Sequence, residues 1–485
     1  MNRRTIVWRR EPLENIATIV RGITFASSDK VAPGTKGAIP CLRTTNVQDT
    51  LEIDDLLWVS ETFVKRQEQW LQAGDTIISM ANSHELVGKV AFNPGQPHRM
   101  SFGGFIAAIR PHEITAKYLY FAIKSPGVQS AIRRQSSQTV NIANISAGIL
   151  KKIEISVASA DEQKKIVAMI ETHFSRLDAA WVSLKRAKAN LKRARASVLK
   201  AAVEGRLVPT EAALARSEGR DYEPASRVLA RSLVTRRANW SESGKGKFKE
   251  PAAPESTALT TLPEGWNWVT LGDLATIVGG IAKDSKQSSG RLVPYLRVAN
   301  VQRGRLHLAE IKSIIAPESK IEALRLQNGD ILLNEGGDRD KLGRGWIWSG
   351  EIPECIHQNH VFRARLWLKD LQPKYISHYA NTQGGRYFLD QGKQTTNLAS
   401  ISLSKVKALP VALPPVAEQT RILAEVDRRL SVLDALELSV DANLTRCARL
   451  RESILKQAFE GRLLPPGPAT AGQPDLPLSP QKTAP

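Results

Sequence analysis

The phrase RASVLKAAVEGRLVP, starting at Arg195, returns as RESILKQAFEGRLLP at Arg451, with ten of fifteen letters identical and a separation of 256 residues. A repeat of this period means that one folding unit is written twice, so any fold for the chain must accommodate two copies. The similarity extends well beyond the opening pair. Ala17-Thr18-Ile19-Val20 recurs as Ala275-Thr276-Ile277-Val278, IPCLRTTNVQ (39–48) as VPYLRVANVQ (293–302), and LQAGDTIIS (71–79) as LQNGDILLN (326–334). The offset drifts between 254 and 258 before Asn141 and Asn397 and then holds at 256, as small insertions in surface loops would produce.

Each copy has a front and a back. The fronts, 1–158 and 263–414, mix short β-rich runs (GDTIIS, KVAF, FIAAIR, GDILLN, HVFRARLWL) with turn signals such as Asn-Pro-Gly and Gly-Gly. They read as mixed α/β domains with a mostly antiparallel sheet. The backs, 159–205 and 415–461, each read as one long helix. Ser159 with Glu162 forms a capping box, Pro414-Pro415 precedes the second start, and Gly205 and Gly461 stand where a left-handed cap is needed. Segment 206–262, polar and then rich in Gly, Ser, Pro and Lys, reads as a flexible linker, and 462–485 as a disordered tail.

Along each helix apolar residues recur every seventh position: Ile170, Leu177, Leu184, Leu191 and Val198 in the first, Val426, Leu433, Val440, Cys447 and Ile454 in the second. A flanking row in the first helix holds Phe174, Trp181, Ala187, Ala194 and Ala201. Heptad spacing over four heptads argues for a coiled-coil seam, with the twin helix as its partner. The expected class is therefore α+β: two mixed α/β domains separated by two long antiparallel helices, with an internal pseudo-two-fold repeat.

Charge indicates the partner. Lys and Arg number 68 against 48 Asp and Glu, a formal net charge of +20. Such an excess draws a polyanion, usually nucleic acid, through counterion release. The three cysteines (Cys41, Cys355, Cys447) are far apart with no CxxC pair, which argues against structural zinc or a disulfide framework and for a reducing cytoplasm. No secretory signal and no apolar run of about 18 residues is expected, hence no membrane span.

Motifs for chemistry are missing. The Pro-Pro pairs fall in LPPV and LPPG, outside the Asn/Asp-Pro-Pro-aromatic loop of amino methyltransferases. No GxxxxGK[ST] phosphate loop and no HExxH occurs, and Asp338-Arg339-Asp340-Lys341 lacks the supporting pattern of a nuclease cluster. No catalytic or metal-binding residue is expected. Instead, polar loops fall at equivalent places in the two copies. The first set is Arg43, Thr45 and Asn46 against Arg297, Asn300 and Arg303. The second is Asn82, Ser83, His84 and Lys89 against Asp338, Arg339, Lys341 and Arg344. The third is Ser137, Gln138 and Thr139 against Lys393, Gln394, Thr395 and Thr396. Arg, Lys, Asn and Gln pair with base edges in the major groove, and Ser and Thr serve phosphates and bases alike. The frames agree between copies while the letters differ, as for two readers of different sequences.

These features together resemble the specificity (S) subunit of Type I restriction–modification systems. The resemblance rests on EQKKIVAMIETHFSRLD (162–178) with AVEGRLVP (202–209), on EQTRILAEVDRRLSVLD (418–434) with AFEGRLLP (458–465), and on NEGGDRDKLGRG and HQNHVFRARL in the second front domain. It implies two target-recognition domains, each on one half of a bipartite, asymmetric double-stranded DNA site, and no catalysis in this chain. It also implies two methyltransferase subunits that carry S-adenosylmethionine and, in the cleaving form of such complexes, two restriction subunits. Residues inserted in 205–212, where the first helix ends, are expected to change the gap between half-sites. Two other readings remain open at this point: a coiled-coil DNA-binding scaffold without sequence preference, and the recognition part of a combined restriction–modification enzyme.

Overall fold

A computed structural model describes residues 8–83, 86–96, 98–138, 143–243, 248, 254, 259–282, 289–394 and 399–464. The chain divides into two compact units, Met1–Arg186 with Val440–Pro485, and Ala187–Ser439. The two long helices, central (Ala160–Val203) and distal (Val416–Phe459), are 44 residues each and contribute to both units. At about 1.5 Å per residue each is roughly 66 Å long.

In the first unit the main sheet runs in the order Ala17–Arg21, Ile106–Pro111, Thr76–Ser79, Val90–Phe92, every neighbour antiparallel. In the second unit the same order is Ala275–Val278, Val361–Leu366, Ile331–Asn334, Gly345–Ile347. A second sheet in each domain places one antiparallel and one parallel neighbour on a central strand, Ala38–Leu42 in the first and Arg291–Leu296 in the second. Strand Thr76–Ser79 is buried on both faces and strand Ile106–Pro111 nearly so, which is why their centres, Ile77-Ile78 and Ile106-Ala107-Ala108-Ile109, read as unbroken apolar runs and not as alternation. Behind Asp75 and Asp330, both buried, Arg110 and Arg365 close bidentate pairs of 2.7–2.9 Å, one per domain.

Each domain grips the start of the helix that follows it. In the first unit Ile166 and Ile170 join the domain core, which also takes Leu455 and Ala458 from the distal helix. In the second, Ile422, Leu423 and Val426 share the core with Ala202 and Val203 of the central helix. A buried glutamine fixes the first turn in both cases. The Gln163 Oε1 accepts the Thr115 N–H at 2.9 Å while its Nε2 donates to the Ala158 carbonyl at 3.0 Å. Gln419 repeats this with the Gln372 N–H (3.1 Å) and the Pro414 carbonyl (2.9 Å). Truncating either glutamine to alanine leaves a buried carbonyl (Ala158 or Pro414) and a partly buried N–H (Thr115 or Gln372) unpaired, so a loss of about 1–3 kcal/mol in the stability of that unit is expected in urea titrations; a loss within about 0.5 kcal/mol would show water replacing the amide.

The helix ends follow the sequence signals. Ser159 and Glu162 close the capping box, with the Ser159 N–H donating to Glu162 Oε2 at 3.0 Å. Gly205 and Gly461 take φ of 67° and 70°, and the next N–H, of Arg206 or Arg462, donates back to Ala201 or Gln457 at 2.9 Å. Along the heptad stripe Ile170, Val426 and Cys447 are buried, and Leu177, Leu184, Leu191, Val198, Leu433, Val440 and Ile454 half-buried. In the flanking row Trp181 stands open at 36% exposure. Within the first unit Arg451 pairs with Asp178 and lies 5.0 Å over the Phe174 ring; within the second, Arg195 pairs with Asp434.

The expected flexible linker 206–262 is corrected by the structure. Its first part folds into two helices, Glu211–Glu218 and Ala225–Ser243, whose Ala212, Ala215, Ala225 and Val228 are buried. Thr210 caps the first through a 3.2 Å bond from the Ala213 N–H. The polar letters are the outer face of these helices, and composition alone did not separate that face from coil. Residues 244–247, 249–253, 255–258 and 465–485 lie outside the described residues. Cys41, Cys355 and Cys447 are buried and unbridged, and burial pushes the thiols of Cys41 and Cys355 up to about 12. Among the described residues no helix is long and apolar enough to cross a membrane.

Candidate nucleic-acid interface

A small three-stranded sheet in each domain gathers two of the predicted loops. In the first domain Ala143–Asn144 lies between Ala81–Asn82 and Ser137–Gln138, which puts Asn82 and Gln138 on either side of Ala143. In the second, Ala399–Ser400 lies between Gly336–Gly337 and Lys393–Gln394, so Gly337 and Gln394 flank Ala399. Side chains also tie in the third loop. Lys89 reaches Gln48 in the first domain. In the second, Asn334 Nδ2 donates to the carbonyl of Val301 at 2.9 Å.

Individual residues fare differently. Thr45, Ser83, Ser137, Asp338, Arg339 and Lys393 are exposed; Asn82, Lys89 and Arg344 are half-buried. Ser137 Oγ donates to the Asn144 carbonyl at 3.2 Å. Arg43 pairs with Asp55, and Arg297 with Glu310 at 3.2 Å. Lys341 pairs with Asp338, and that lysine holds the Asp338 carboxyl below its ordinary range. Such exposed pairs are weak because water screens them, so a phosphate can displace the acid. Arg303 donates to the Asn381 carbonyl, which ties its loop to the domain. His84, Thr139, Thr395 and Thr396 lie outside the described residues, as do the side chains of Gln138 and Gln394.

Asn46 and Asn300 need correction. Expected to contact DNA, they are 3% and 1% exposed. The Asn46 Oδ1 accepts the Arg43 N–H at 2.8 Å and its Nδ2 donates to the Asp55 carbonyl at 2.9 Å. Asn300 accepts from the Arg297 N–H and donates to the carbonyls of His307 and Glu310, all at 2.9 Å. Asparagine is favoured there because its side chain closes its own loop, a role the residue type does not distinguish from base contact.

Motif reading assigned no contact residue to the turns Gly103–Phe105 and Gln358–His360, although HQNH belongs to a segment that carries the family resemblance. The available signal was the repeat register, in which FGGF falls on HQNH. Among the described residues no group of His, Cys, Asp and Glu is placed to hold a metal.

A family model described as the Type I restriction modification DNA specificity domain matches residues 7–180 and 263–439. The StySPI specificity subunit of Salmonella potsdam is 27% identical over 464 residues, covering 94% of this chain and 89% of its own length. The EcoKI specificity subunit of Escherichia coli K12 is likewise 27% identical, over 466 residues, with the same coverage. Among solved structures, a chain from a study of complex assembly and conformational transition of the type I R-M system superposes with a TM-score of 0.61 at 15% identity. That match covers 95% of this chain and all of the other. With both matched segments carrying the same sheet order and the same loop frame, the chain belongs to the Type I restriction–modification DNA specificity family.

Proposed function

We propose that this chain is the specificity subunit of a Type I restriction–modification complex: it binds a bipartite, asymmetric double-stranded DNA target, one recognition domain to each half. It recruits two methyltransferase subunits, which carry the S-adenosylmethionine, and two restriction subunits in the cleaving complex, and it works in the cytoplasm. The observation that carries this reading is the duplicated surface. Two three-stranded sheets of the same register present unlike surfaces, Asn82 and Ser137 in one domain and Lys393 beside the bare Gly336–Gly337 strand in the other. One frame with different letters suits two half-sites of different sequence.

The long helices serve in this reading as an antiparallel coiled coil that fixes the gap between half-sites. Two ion pairs support that direction: from Asp178–Arg451 to Arg195–Asp434 is 17 residues forward along the central helix and 17 back along the distal one.

Competition binding at physiological salt tests the function. The full chain with its methyltransferase subunits is expected to prefer one target over random DNA by at least about a thousandfold. Lys393→Ala and Ser137→Ala are each expected to cost about 1–3 kcal/mol at one half-site only. Equal affinity for all sequences would instead describe a scaffold, and methyl transfer by the chain alone would describe a combined enzyme.

A further inference from the structure

Beside the polar sheet of each domain stands a tight turn on a duplicated frame. In the first domain the Ile106 N–H donates to the Gly103 carbonyl at 2.9 Å, closing a turn with Gly104 and Phe105 at its tip. The Gly103 N–H donates to the Leu42 carbonyl (2.9 Å), the Phe105 carbonyl accepts from the Met80 N–H (2.9 Å), and the Met80 carbonyl accepts from Ile145 (2.9 Å). The second domain repeats every bond: Val361 to Gln358 at 2.9 Å, Gln358 to Leu296 at 2.9 Å, Glu335 to His360 at 2.9 Å, and Ile401 to Glu335 at 2.8 Å. The chain passing beneath carries glycine in both, since a β-carbon on Gly22 would collide with the carbonyl of Phe102, and one on Gly280 with that of His357.

Met80 and Glu335 immediately precede the strands Ala81–Asn82 and Gly336–Gly337, so the turn adjoins the same small sheet that carries the predicted readers. At the tip, however, the chemistry differs. Phe105 is 69% exposed on a backbone pinned from both sides. A lone exposed apolar side chain is ordinary. The equivalent position bears His360, with its side chain 55% exposed, and its Nδ1 lies 2.7 Å from Glu335 Oε2. The carboxylate only accepts, so in the neutral ring Nδ1 donates to it and Nε2 is the acceptor, with the Asn359 amide nitrogen 3.4 Å away as the neighbour a base's amino group would displace.

We propose that this turn is a base-reading position in each domain. Phe105 packs on the C5-methyl of a thymine in the first half-site. His360, oriented by Glu335, accepts through Nε2 from the exocyclic amino group of an adenine or cytosine in the second. This inference rests on the DNA-reading function proposed above and names residues that carry its specificity.

Once the methylated target is mapped by modification-sensitive sequencing, each thymine of the first half-site is replaced in turn by deoxyuridine, which lacks only the methyl. Binding is measured with the full chain and its methyltransferase subunits. One replacement is expected to weaken wild-type binding by roughly three- to tenfold and to weaken Phe105→Ala no further. Phe105→His is expected to change base preference at that same position. His360→Ala is expected to relax discrimination at one base pair of the second half-site and leave the first untouched. Thermal melting verifies that these exposed substitutions leave the fold intact. The proposal is overturned if Phe105→Ala and wild type lose equally on every deoxyuridine duplex, or if the variants weaken binding to all DNA alike. If the wild-type complex binds the mapped target no better than random DNA, the DNA-reading function itself fails, and this proposal with it.

Discussion

Glu418→Ala is expected to destabilise the second unit by about 3–5 kcal/mol. Glu418 is fully buried at the start of the distal helix. Its Oε1 accepts the indole N–H of Trp266 at 2.9 Å and its Oε2 accepts the Glu211 N–H at 2.8 Å. Glu211 is held in turn by Arg220 and Arg421, both at 2.6 Å. Removing the carboxylate strands two buried donors, each costing about 1–3 kcal/mol. At 2–4 °C per kcal/mol for a unit of this size, calorimetry is expected to show a melting temperature lower by roughly 10 °C. A loss below 1 kcal/mol would mean that water enters the site.

The pH dependence has a definite sign. Burial raises the Glu418 pKa above the usual carboxylate range, against its hydrogen bonds. Its contribution is therefore fully present below the unfolded-state pKa and declines as pH rises through the raised value. Burial also disfavours the Glu211 carboxylate, but Arg220 and Arg421 outweigh it and lower that pKa, so its contribution is lost as pH falls through the lowered value. The deficit of Glu418→Ala relative to wild type is accordingly expected to shrink as pH rises through the raised Glu418 pKa.

The second large effect concerns target spacing. Residues 205–212 are not a free joint, because Leu207 and Glu211 are buried in the second unit. An insertion there is expected to unseat the Glu418 network and not to move a half-site cleanly. The helices themselves accept insertions in heptads, which preserve the apolar stripe. One heptad in each adds about 10.5 Å, near three base pairs, and turns the second half-site by roughly a hundred degrees around the DNA. Methylation of the native target is expected to fall by more than about a hundredfold. Three heptads add about 32 Å, close to one DNA turn of 34–36 Å. That variant is expected to methylate the same two half-sites with the gap enlarged by about one turn. Methylation mapping reads both outcomes, and a changed base in either half-site would refute the helices as the spacer.

Much of the architecture could be read in the letters because its causes are local or periodic. The heptad row from Ile170 to Val198 follows from helix geometry, and φ near 70° at Gly205 and Gly461 follows from the lack of a β-carbon. The matched phrases at Arg195 and Arg451 dictate two copies of one unit. Composition failed in 206–243, where small residues such as Ala212 and Ala225 pack against a neighbour instead of forming coil.

Side-chain roles depended on contacts distant in sequence. Asn46 and Asn82 are the same residue type in similar polar loops, yet one is spent on the Arg43 turn and the other stands half-buried on a sheet. Glu162 and Glu418 occupy equivalent positions, but the first closes a capping box with Ser159 while the second turns inward to Trp266, 152 residues away in the chain. The sequence by itself determined heptad periodicity, helix ends, duplication and charge, since each is read from residue types and their spacing along the chain. Tertiary structure alone decided which polar groups face water and which are consumed inside, because a hydrogen bond is allotted by distance in space, and partners far apart in the chain leave no spacing to read.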